Sequence, residues 1–438
     1  PNRFSHGYGL SKAIVENIEA DMIITVDNGI SAIEAAEICR QRGIELIVTD
    51  HHTPQEKLPD ALICNPKLSP LFVEKEICGA CVAWYLCASI KQQMNLQISM
   101  VEFLDLLALA IVSDVMPLRG INWVLLKKGL EVLYRSRRVA LVLLKEHFKK
   151  HAFNARLLSY YIAPLLNSAG RMGSAMESYE FLIEKDYKKA LKNLRSLLEC
   201  NEKRKMLQNE VYLEAKNQFC SQENFQEIPL IVVHDSRWSE GVIGIVAAKL
   251  YEEFLKPSIV LSNQGLLKGS MRGFDCMGIL YAYRAFLESF GGHSCAAGIK
   301  LKEENLQSFK EALRNFKESD YQEESSAKNV LGMLHFKHIN EELFSILDSF
   351  EPYGEWNGIP KFFTHAIIKE VYLFGDVHSD VILQEGGIVQ RGVMFRHDLS
   401  TLKNKEVCCC YSVYKDLYQR IRLQLESVEA LEEVDFQV

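Results

Sequence analysis

Two short runs of β-branched residues near the start of the chain each end in polar side chains. The run DMIITV leads into Asp27, and the run ELIVT leads into Asp50. A helical pattern at 31–42 lies between the two runs, and a third β-branched run follows at 61–64. Strand–helix–strand alternation of this kind predicts a parallel sheet with crossover helices. Because ligands bind beyond the carboxyl ends of the strands in such sheets, both polar clusters are predicted to lie at a functional edge.

The polar side chains at these strand ends are of the types that bind divalent cations. Asp27 is followed along the chain by the triplet Asp50, His51 and His52, and Asp114 closes a later apolar run, AIVS. Carboxylate oxygens suit magnesium and manganese, and an added imidazole suits manganese. Each residue taken alone is also explained as a helix cap or a hydrogen-bonded core histidine. The triplet is harder to explain that way, since burying three polar side chains without partners is costly.

The remaining chain divides into regions of different pattern. A length of 438 residues is too great for one ordinary core, so we expect an α/β multidomain protein. The region 187–216 is predicted to form one long helix, and the Ser- and Glu-rich segment 318–328 is the best candidate linker. The expected domains are a parallel-sheet domain at 1–130, a helical connector at 131–225, a second α/β domain at 226–317 and a small oligonucleotide-binding (OB) β-barrel at 329–438.

Composition narrows the class of protein. No apolar run of about 18 residues and no signal peptide is present, so we expect a cytoplasmic protein without membrane contact. The net charge of −7 argues weakly against a general nucleic-acid coat protein. It is compatible with a nuclease, in which catalytic carboxylates coexist with a local basic groove. The densest basic stretch, 135–156, fits a solvated helix face as well as a DNA-contacting one.

The 12 cysteines are typical of reduced core residues rather than of a disulfide framework. Cys78 and Cys81 have the spacing of a zinc or redox pair, but no second pair at ligand spacing accompanies them. They open the apolar stretch CGACVAWYLCASI, which predicts a buried helix. The run 408–410 lies in an alternating pattern and predicts a strand.

A second group of candidate residues combines glycines with one imidazole and one guanidinium. The segment 291–298 reads GGHSCAAG, and Ser270 and Arg272 lie in the upstream segment GSMRG. Glycine and alanine allow a ligand to approach the backbone closely, and the imidazole and the guanidinium suit phosphate. A glycine-rich turn alone is weak evidence for a phosphate-binding site. It becomes informative only because the other motifs accompany it.

Taken together, the motifs resemble those of the RecJ-type exonucleases, which belong to the DHH phosphoesterase superfamily. The resemblance implies a DHH domain, a helical connector, a DHH-associated domain and an OB barrel. It also implies 5′-to-3′ degradation of single-stranded DNA in repair and recombination, with two manganese or magnesium ions. We expect single-stranded DNA as the partner and a monomeric chain, and recruitment by a single-strand-binding protein is left open. The motifs occur in the family's order as VDNGIS, VTDHH, AIVSDVMPL, NSAGRMG, EGVIGIVAAKL, GSMRG, GGHSCAAG and EPYGEWNGIPKF.

The resemblance assigns a role to each residue of the first group. Asp27 corresponds to the carboxylate that bridges both metals, and His51 and Asp114 correspond to ligands of the second metal. His52 corresponds to the residue that faces the scissile phosphate. Asp50 would orient the histidine pair from behind.

The resemblance also extends to residues that would contact the DNA. Ser270 and Arg272 correspond to the residues that grip a 5′-terminal phosphate, and His293 to a histidine supplied by the DHH-associated domain. The other positions expected to contact substrate are Gly291, Gly292, Arg171 in NSAGRMG, and Arg3 in the segment before GYGL.

The sequence departs from the family pattern at several positions. An Asp-x-Asp-x-Asp-Gly strand is expected shortly before PNRF and is not in this sequence, so we expect the chain as given to be inactive. Leu165 stands where arginine is usual, Ser239 replaces a histidine after Trp238, and Trp123 follows Asn122 where arginine is common. These departures affect the expected DNA contacts more than the family resemblance.

Two alternatives remain open at this point. The first is a DHH-family phosphodiesterase that acts on very short oligonucleotides or cyclic dinucleotides. The long connector and the barrel-like domain favour a polymeric substrate over that alternative. The second is a nucleic-acid-binding scaffold without catalysis, against which the intact Asp27, His51, His52 and Asp114 argue.

Overall fold

The protein is described by a computed structural model that divides into two compact units. The first unit contains Arg137–Leu143 and most of the chain from Ile162 to 317. The second contains Gly9–Ser136, Leu144–Tyr161 and the C-terminal region from 330 onward. The structure describes residues 9–264, 266–314, 316–317, 330–375, 377–416 and 418–431.

The N-terminal part of the second unit is built on a parallel sheet, as the sequence predicts. Strand β1 pairs in parallel with β2, and β2 pairs in parallel with β3. Helix α2 buries Ala35, Ala36 and Cys39 against Leu46 and Val48, so the sheet is covered by the small residues of its crossover helix. The elements are α1 (Lys12–Glu16), β1 (Met22–Val26), α2 (Ile33–Gln41), β2 (Glu45–Thr49), β3 (Leu62–Cys64), α3 (Gly79–Gln93), α4 (Leu104–Ser113) and α5 (Gly120–Arg135).

The cysteine pair of the apolar stretch lies where α3 begins. Cys78 is the N-cap residue of α3, Cys81 lies in its first turn, and both side chains are buried. Burial raises the pKa of the Cys81 thiol to about 12, and it raises the pKa of Cys78 as well. Both groups are therefore protonated near neutral pH, which agrees with core residues rather than with metal ligands or a redox pair.

Helices occupy the middle of the chain. The region predicted as one long helix forms α10, which buries Leu194, Leu197, Val211, Ala215 and Phe219 along one side. The helices are α6 (Val139–His147), α7 (Ala155–Leu157), α8 (Ala163–Met172), α9 (Met176–Ile183) and α10 (Tyr187–Cys220).

The second sheet is mixed, with the order β4-β5-β6-β8-β7. Strands β4 and β5 pair in parallel, and the pairings of β5, β6, β8 and β7 are antiparallel. The β-branched run GVIGIVAAKL forms a helix, α11, because its buried positions Ile243, Val246, Ala247 and Leu250 recur at helical spacing. The elements are β4 (Ile231–His234), α11 (Ile243–Phe254), β5 (Ser258–Gln264), β6 (Leu266–Arg272), α12 (Cys276–Ala282), β7 (Ser289–His293), β8 (Ala296–Leu301) and α13 (Leu306–Arg314).

The C-terminal part of the second unit is a closed barrel, which confirms the expected OB-like fold. The barrel strands follow the order β10-β11-β12-β14-β13, and β13 and β11 both pair with β10. Alternate residues of the strands are buried, among them Val381, Leu383, Val407, Tyr411 and Leu423. The elements are β9 (Val330–Met333), α14 (Glu341–Ser349), β10 (Lys361–Phe374), β11 (His378–Glu385), β12 (Ile388–Met394), β13 (Glu406–Lys415) and β14 (Ile421–Ala430).

Two sequence expectations fall outside the described residues. They are the linker at 318–328 and the possible phosphate contact of Arg3. The predicted domain boundaries near 130 and 225 stay predictions. Within the described residues, no helix combines the length and the apolar character that a membrane span requires.

Candidate metal centre

Asp27 is held in an unusual backbone conformation immediately after β1. Its φ is 65°, in the left-handed region, and its amide donates a hydrogen bond to the carbonyl of Thr49 at 2.9 Å. Gly79, the first residue of α3, lies against it, because a Cβ at Gly79 would be 2.5 Å from the Asp27 Cβ. Only glycine therefore lets the N-terminus of α3 approach this carboxylate so closely. The sequence signal for this contact is the glycine of CGAC, whose partner could not be identified before the fold was known.

Asp50 is a buried carboxylate that organises the residues after β2. Its Oδ2 accepts the amide of Ile30 at 2.9 Å, and its Oδ1 accepts the amide of His51 at 2.8 Å. The same Oδ1 lies 2.7 Å from His52 Nδ1. Burial raises the pKa of Asp50, but the hydrogen bonds from His52 and Ile30 outweigh it and lower the pKa to about 2. In turn, Asp50 raises the pKa of His52. Asp50 thus contacts both histidines, and its orienting role stays a prediction.

Three of the predicted ligands converge on one point at the carboxyl edge of the sheet. His51 Nε2 lies 3.1 Å from Asp27 Oδ1 and 3.4 Å from Asp114 Oδ2. The structure also groups His52 with Asp27 and His51, with one ligand atom of each lying within 4.8 Å of the others. The convergence brings together residues that are far apart in sequence.

The polar atoms of this cluster fit a divalent cation. Asp27 Oδ1 and His51 Nε2 are shielded from solvent, and neither has a hydrogen-bond partner within the part of the chain that the structure describes. Leaving two such atoms without partners is unfavourable, and a cation between them would satisfy both. Burial, followed by the neighbouring charge of Asp27, raises the pKa of Asp114 to about 6. A positive ion would relieve this repulsion, so the donor set and its electrostatics both suit manganese or magnesium.

The second group of predicted residues is centred on β6. Arg272 Nη1 donates hydrogen bonds to Ser270 Oγ and to the carbonyl of Met271, each at 2.7 Å. A Cβ at Gly244, in the first turn of α11, would lie 3.0 Å from Ser270 Oγ and 3.1 Å from Arg272 Nη2. Both side chains therefore lie against the N-terminal turn of a helix, where anions are favoured. Burial lowers the pKa of the Arg272 guanidinium, so part of its hydration is already lost.

Strand register aligns the predicted phosphate-binding residues on one face of the second sheet. Arg272 on β6 and His293 on β7 both pair with Ala296 of β8. Cross-strand partners point to the same face, so these three side chains form one row. The strand spacing puts the backbones of Arg272 and His293 about 10 Å apart, with only the methyl group of Ala296 between them.

The next row on this face consists of small residues. Ser270 pairs with Gly298, and Gly298 pairs with Gly291. A Cβ at Gly291 would meet nothing within 4 Å, so the face is open at this position. Gly292 has a different function, because its φ of 156° and the proximity of Ala297 exclude a side chain there. The motif GGHSCAAG therefore provides both an open surface and a close strand pairing.

Arg171 and the residues that depart from the family pattern make local contacts in the structure. Arg171 Nη1 donates to the carbonyl of Gly241 at 3.3 Å, which links α8 to the turn before α11. Ser239 Oγ accepts the amide of Gly241 at 3.3 Å in that turn, and Leu165 is buried in α8. Trp123 Nε1 donates to the carbonyl of Phe350 at 3.2 Å, a contact between α5 and the C-terminal region that the sequence did not predict.

Comparison with known protein families identifies the class of protein to which the chain belongs. Residues 1–111 match the model of the DHH family, N-terminal domain, and residues 227–319 match the DHHA1 domain. Together with an aspartate and a histidine pair at the carboxyl edge of a parallel sheet, these matches define a DHH-type protein. Residues 332–428 match the RecJ OB domain.

The relatives then specify the family within that class. The single-stranded-DNA-specific exonuclease RecJ of Haemophilus influenzae is 30% identical over 90% of this chain and 74% of its own length. The Escherichia coli RecJ is 30% identical over 91% of this chain and 75% of its own length. The chain therefore belongs to the RecJ family of single-stranded-DNA-specific exonucleases, as the motifs predict.

Solved structures agree with this assignment. The crystal structure of RecJ from Thermus thermophilus in complex with Mn²⁺ has a TM-score of 0.84 and 27% identity, covering 96% of this chain and 63% of that chain. The same protein in complex with Mg²⁺ has a TM-score of 0.78 at 27% identity, covering 95% of this chain and 62% of that chain. Both ions are the expected cofactors. The chain thus spans somewhat less than two thirds of the Thermus protein.

Proposed function

We propose that this chain belongs to an exonuclease that degrades single-stranded DNA from the 5′ end with two manganese or magnesium ions. The observation that carries the proposal is the convergence of Asp27 Oδ1, His51 Nε2 and Asp114 Oδ2. Two of these atoms are buried and have no hydrogen-bond partner among the described residues. Family membership supports the substrate class, since the relatives' names specify single-stranded DNA.

In this proposal each residue of the first group has one task. Asp27, His51 and Asp114 hold the metal, which supplies Lewis-acid chemistry and charge neutralisation for phosphodiester hydrolysis. Asp50 accepts from His52 at Nδ1, so Nε2 is the atom through which His52 meets the phosphate. Because Asp50 raises the pKa of His52, the imidazole carries a proton over a wider pH range. A protonated His52 would donate a hydrogen bond to a phosphate oxygen and offset its charge.

The row on the second sheet would recognise the end of the strand. A terminal phosphate carries more negative charge than an internal phosphodiester. Arg272 and Ser270 lie against the first turn of α11, which favours such a group. His293 lies on the same face, two strands away, and the small residues between them leave room for a nucleotide. Arg171 would contact the DNA further from its end.

The C-terminal barrel supports a polymeric substrate rather than a dinucleotide. OB barrels bind single-stranded nucleic acid along one face, and a cyclic dinucleotide would need no such domain. We further propose that the chain acts as a monomer in DNA repair and recombination, with recruitment by a single-strand-binding protein. Light scattering during gel filtration, with and without that partner, tests both the oligomeric state and the recruitment.

The test of the proposed function uses single strands labelled at one end. The chain, together with any residues that its gene encodes before Pro1, is incubated with Mn²⁺ and with 5′- or 3′-labelled strands. Digestion from the 5′ end releases the 5′ label as a mononucleotide at once, whereas the 3′ label passes through progressively shorter products. Equal cleavage of duplex DNA, preference for dinucleotides, or full activity in excess chelator would contradict the proposal.

A further inference from the structure

The loop that carries Asp114 has a conformation that its own sequence does not favour. Helix α4 ends at Ser113, and the amide of Met116 donates back to the carbonyl of Ile111 at 3.1 Å. Between them, Val115 has a φ of 52°, in the left-handed region. A β-branched residue rarely adopts this conformation. Here the amide of Val115 also donates to the carbonyl of Val112 at 3.2 Å, so two main-chain hydrogen bonds close the helix end around it.

One side of this loop is held by a buried side chain of its own domain. Asn122, in the first turn of α5, is completely buried. Its Nδ2 donates to the carbonyl of Pro117 at 3.0 Å and to that of Glu76 at 2.6 Å. The amide therefore joins the end of the loop to the segment that precedes α3.

The other side of the loop is held by a turn at 351–357, which precedes the barrel strand β10. The amide of Leu118 donates to the carbonyl of Glu355 at 2.7 Å. Gly354 packs on the same leucine, because a Cβ at Gly354 would be 2.7 Å from Leu118 Cδ1. The guanidinium of Arg119 lies 4.6 Å from the centre of the Trp356 ring. The turn therefore contacts two consecutive residues, Leu118 and Arg119, through a main-chain hydrogen bond, side-chain packing and a cation–π interaction.

The 351–357 turn is itself rigidly built. Gly354 and Asn357 exchange main-chain hydrogen bonds of 2.9 and 3.2 Å. Asn357 Nδ2 donates to the carbonyls of Pro352 at 2.9 Å and Phe350 at 3.0 Å. Phe350 also accepts from Trp123 of α5, so the start of the turn is attached to the N-terminal domain as well. A rigid turn with several attachments can impose a conformation on its partner.

We propose that the 351–357 turn is a positioning element that fixes the loop after α4, so that the barrel domain sets the geometry of the Asp114 carboxylate. This inference rests on the proposed function, in which Asp114 is a metal ligand beside His51. Groups that orient a ligand without touching the metal commonly change its affinity by about 10- to 100-fold. The turn acts through the backbone of Leu118, several bonds from the carboxylate, so its effect is smaller. Through this contact, the domain that binds the DNA strand also tunes the metal centre.

The test measures Mn²⁺ affinity in this chain by the EPR signal of the free ion. Trp356→Ala removes an exposed ring from the loop contact, and Gly354→Val forces Leu118 away. Each variant weakens Mn²⁺ binding by about three- to tenfold, the effect of losing one or two modest contacts. The matched control is Tyr418→Ala, which removes an exposed ring that stacks on Arg420 within the same barrel domain. This control leaves the affinity unchanged.

A double-mutant cycle separates positioning from general loosening. In an Asp114→Ala background, Trp356→Ala has no further effect on Mn²⁺ affinity, because the ligand it positions is gone. Hydrogen exchange of the peptide that contains the Leu118 amide becomes faster in both turn variants, while the melting temperature of Trp356→Ala stays near that of the parent chain.

Three results would overturn the proposal, in two distinguishable ways. Unchanged Mn²⁺ affinity in the turn variants, or an equal loss in the Asp114→Ala background, removes the positioning role and leaves the metal assignment intact. Unchanged affinity in Asp114→Ala itself removes the metal assignment, and the positioning role fails with it.

Discussion

The two groups of predicted functional residues lie in regions that are built differently. The first group lies at the carboxyl edge of the β1–β2–β3 sheet, and the second lies on one face of the β6–β8–β7 sheet. At the first, Asp27, Asp50 and His51 are fixed by buried contacts, and glycine at 79 allows a helix to press on the carboxylate. At the second, Gly291 leaves open space beside the row that carries Arg272 and His293. A metal centre requires ligands placed to a fraction of an ångström, whereas a nucleotide-binding face requires room. The rigid edge of the first sheet meets the requirement of a metal centre, and the open face of the second sheet meets that of a nucleotide-binding surface.

The largest expected effect comes from the rigid edge. Here and in the predictions below, activity is measured on the chain extended by any residues that its gene encodes before Pro1. We expect Asp27→Ala to reduce exonuclease activity by about a thousandfold or more, because metal ions contribute several kcal/mol to hydrolysis. Mn²⁺ affinity, measured by EPR, should fall in parallel. The control is Asp21→Ala at the opposite end of β1, which should retain both activity and affinity. Retention of activity by Asp27→Ala would end the assignment of this edge as a metal centre.

The open face should give a smaller and more selective effect. We expect Arg272→Ala to lose activity on 5′-phosphorylated strands by about 1.5–3 kcal/mol, the value of a hydrogen bond to a charged group. Strands with a 5′-hydroxyl should lose less, and Arg272→Lys should recover part of the loss, since it keeps the charge without the two-pronged geometry. Initial rates on the two substrates measure the difference. An equal loss on both would mean that Arg272 only braces the Met271 carbonyl, to which it already donates.

The positions of many of these residues in the fold could be predicted from the sequence, because they depend on regular patterns along the chain. The carboxyl ends of parallel strands share one edge, so Asp27 and the Asp50–His52 triplet could be placed together before the fold was known. The helix at 187–220 and the barrel strands were also predictable, because their apolar periods are long and regular. The identity of the family followed from motif order, which depends on spacing rather than on contacts.

Other features depend on contacts that no local pattern records. The run GVIGIVAAKL has strand-like composition, and the helical spacing of its buried positions is recognisable only once the structure shows which of them are buried. The loop after α4 combines a left-handed φ at Val115, which a β-branched residue rarely adopts, with contacts to Asn122 and to the 351–357 turn. The approach of Gly79 to Asp27 joins residues that are distant in sequence. Tertiary contacts decide these features, and they lie at or beside the predicted metal centre.

Glycine-to-alanine substitutions should have unequal effects on stability in the two regions. We expect Gly79→Ala to destabilise the chain by about 1–3 kcal/mol, because its Cβ would overlap the Asp27 side chain. Gly291→Ala should change stability by about 0.5 kcal/mol or less, since nothing lies within 4 Å of its Cβ. Urea denaturation of the two variants measures both values. Similar stability losses would show that the face at Gly291 is packed rather than open.

The smallest expected effect concerns Ser270, whose hydroxyl accepts a hydrogen bond from Arg272 at 2.7 Å. Ser270→Ala removes this acceptor and one donor to a terminal phosphate, but it leaves the guanidinium in place. We expect a loss of about 0.5–1.5 kcal/mol on 5′-phosphorylated strands, the usual contribution of a single hydrogen bond. Ser289→Ala, one row beyond Gly291 on the same face of β7, is the matched control and should behave like the parent chain. In the Arg272→Ala background, Ser270→Ala should add less than it does alone, because the two side chains act as one unit. Full additivity would separate them and assign the hydroxyl a contact of its own.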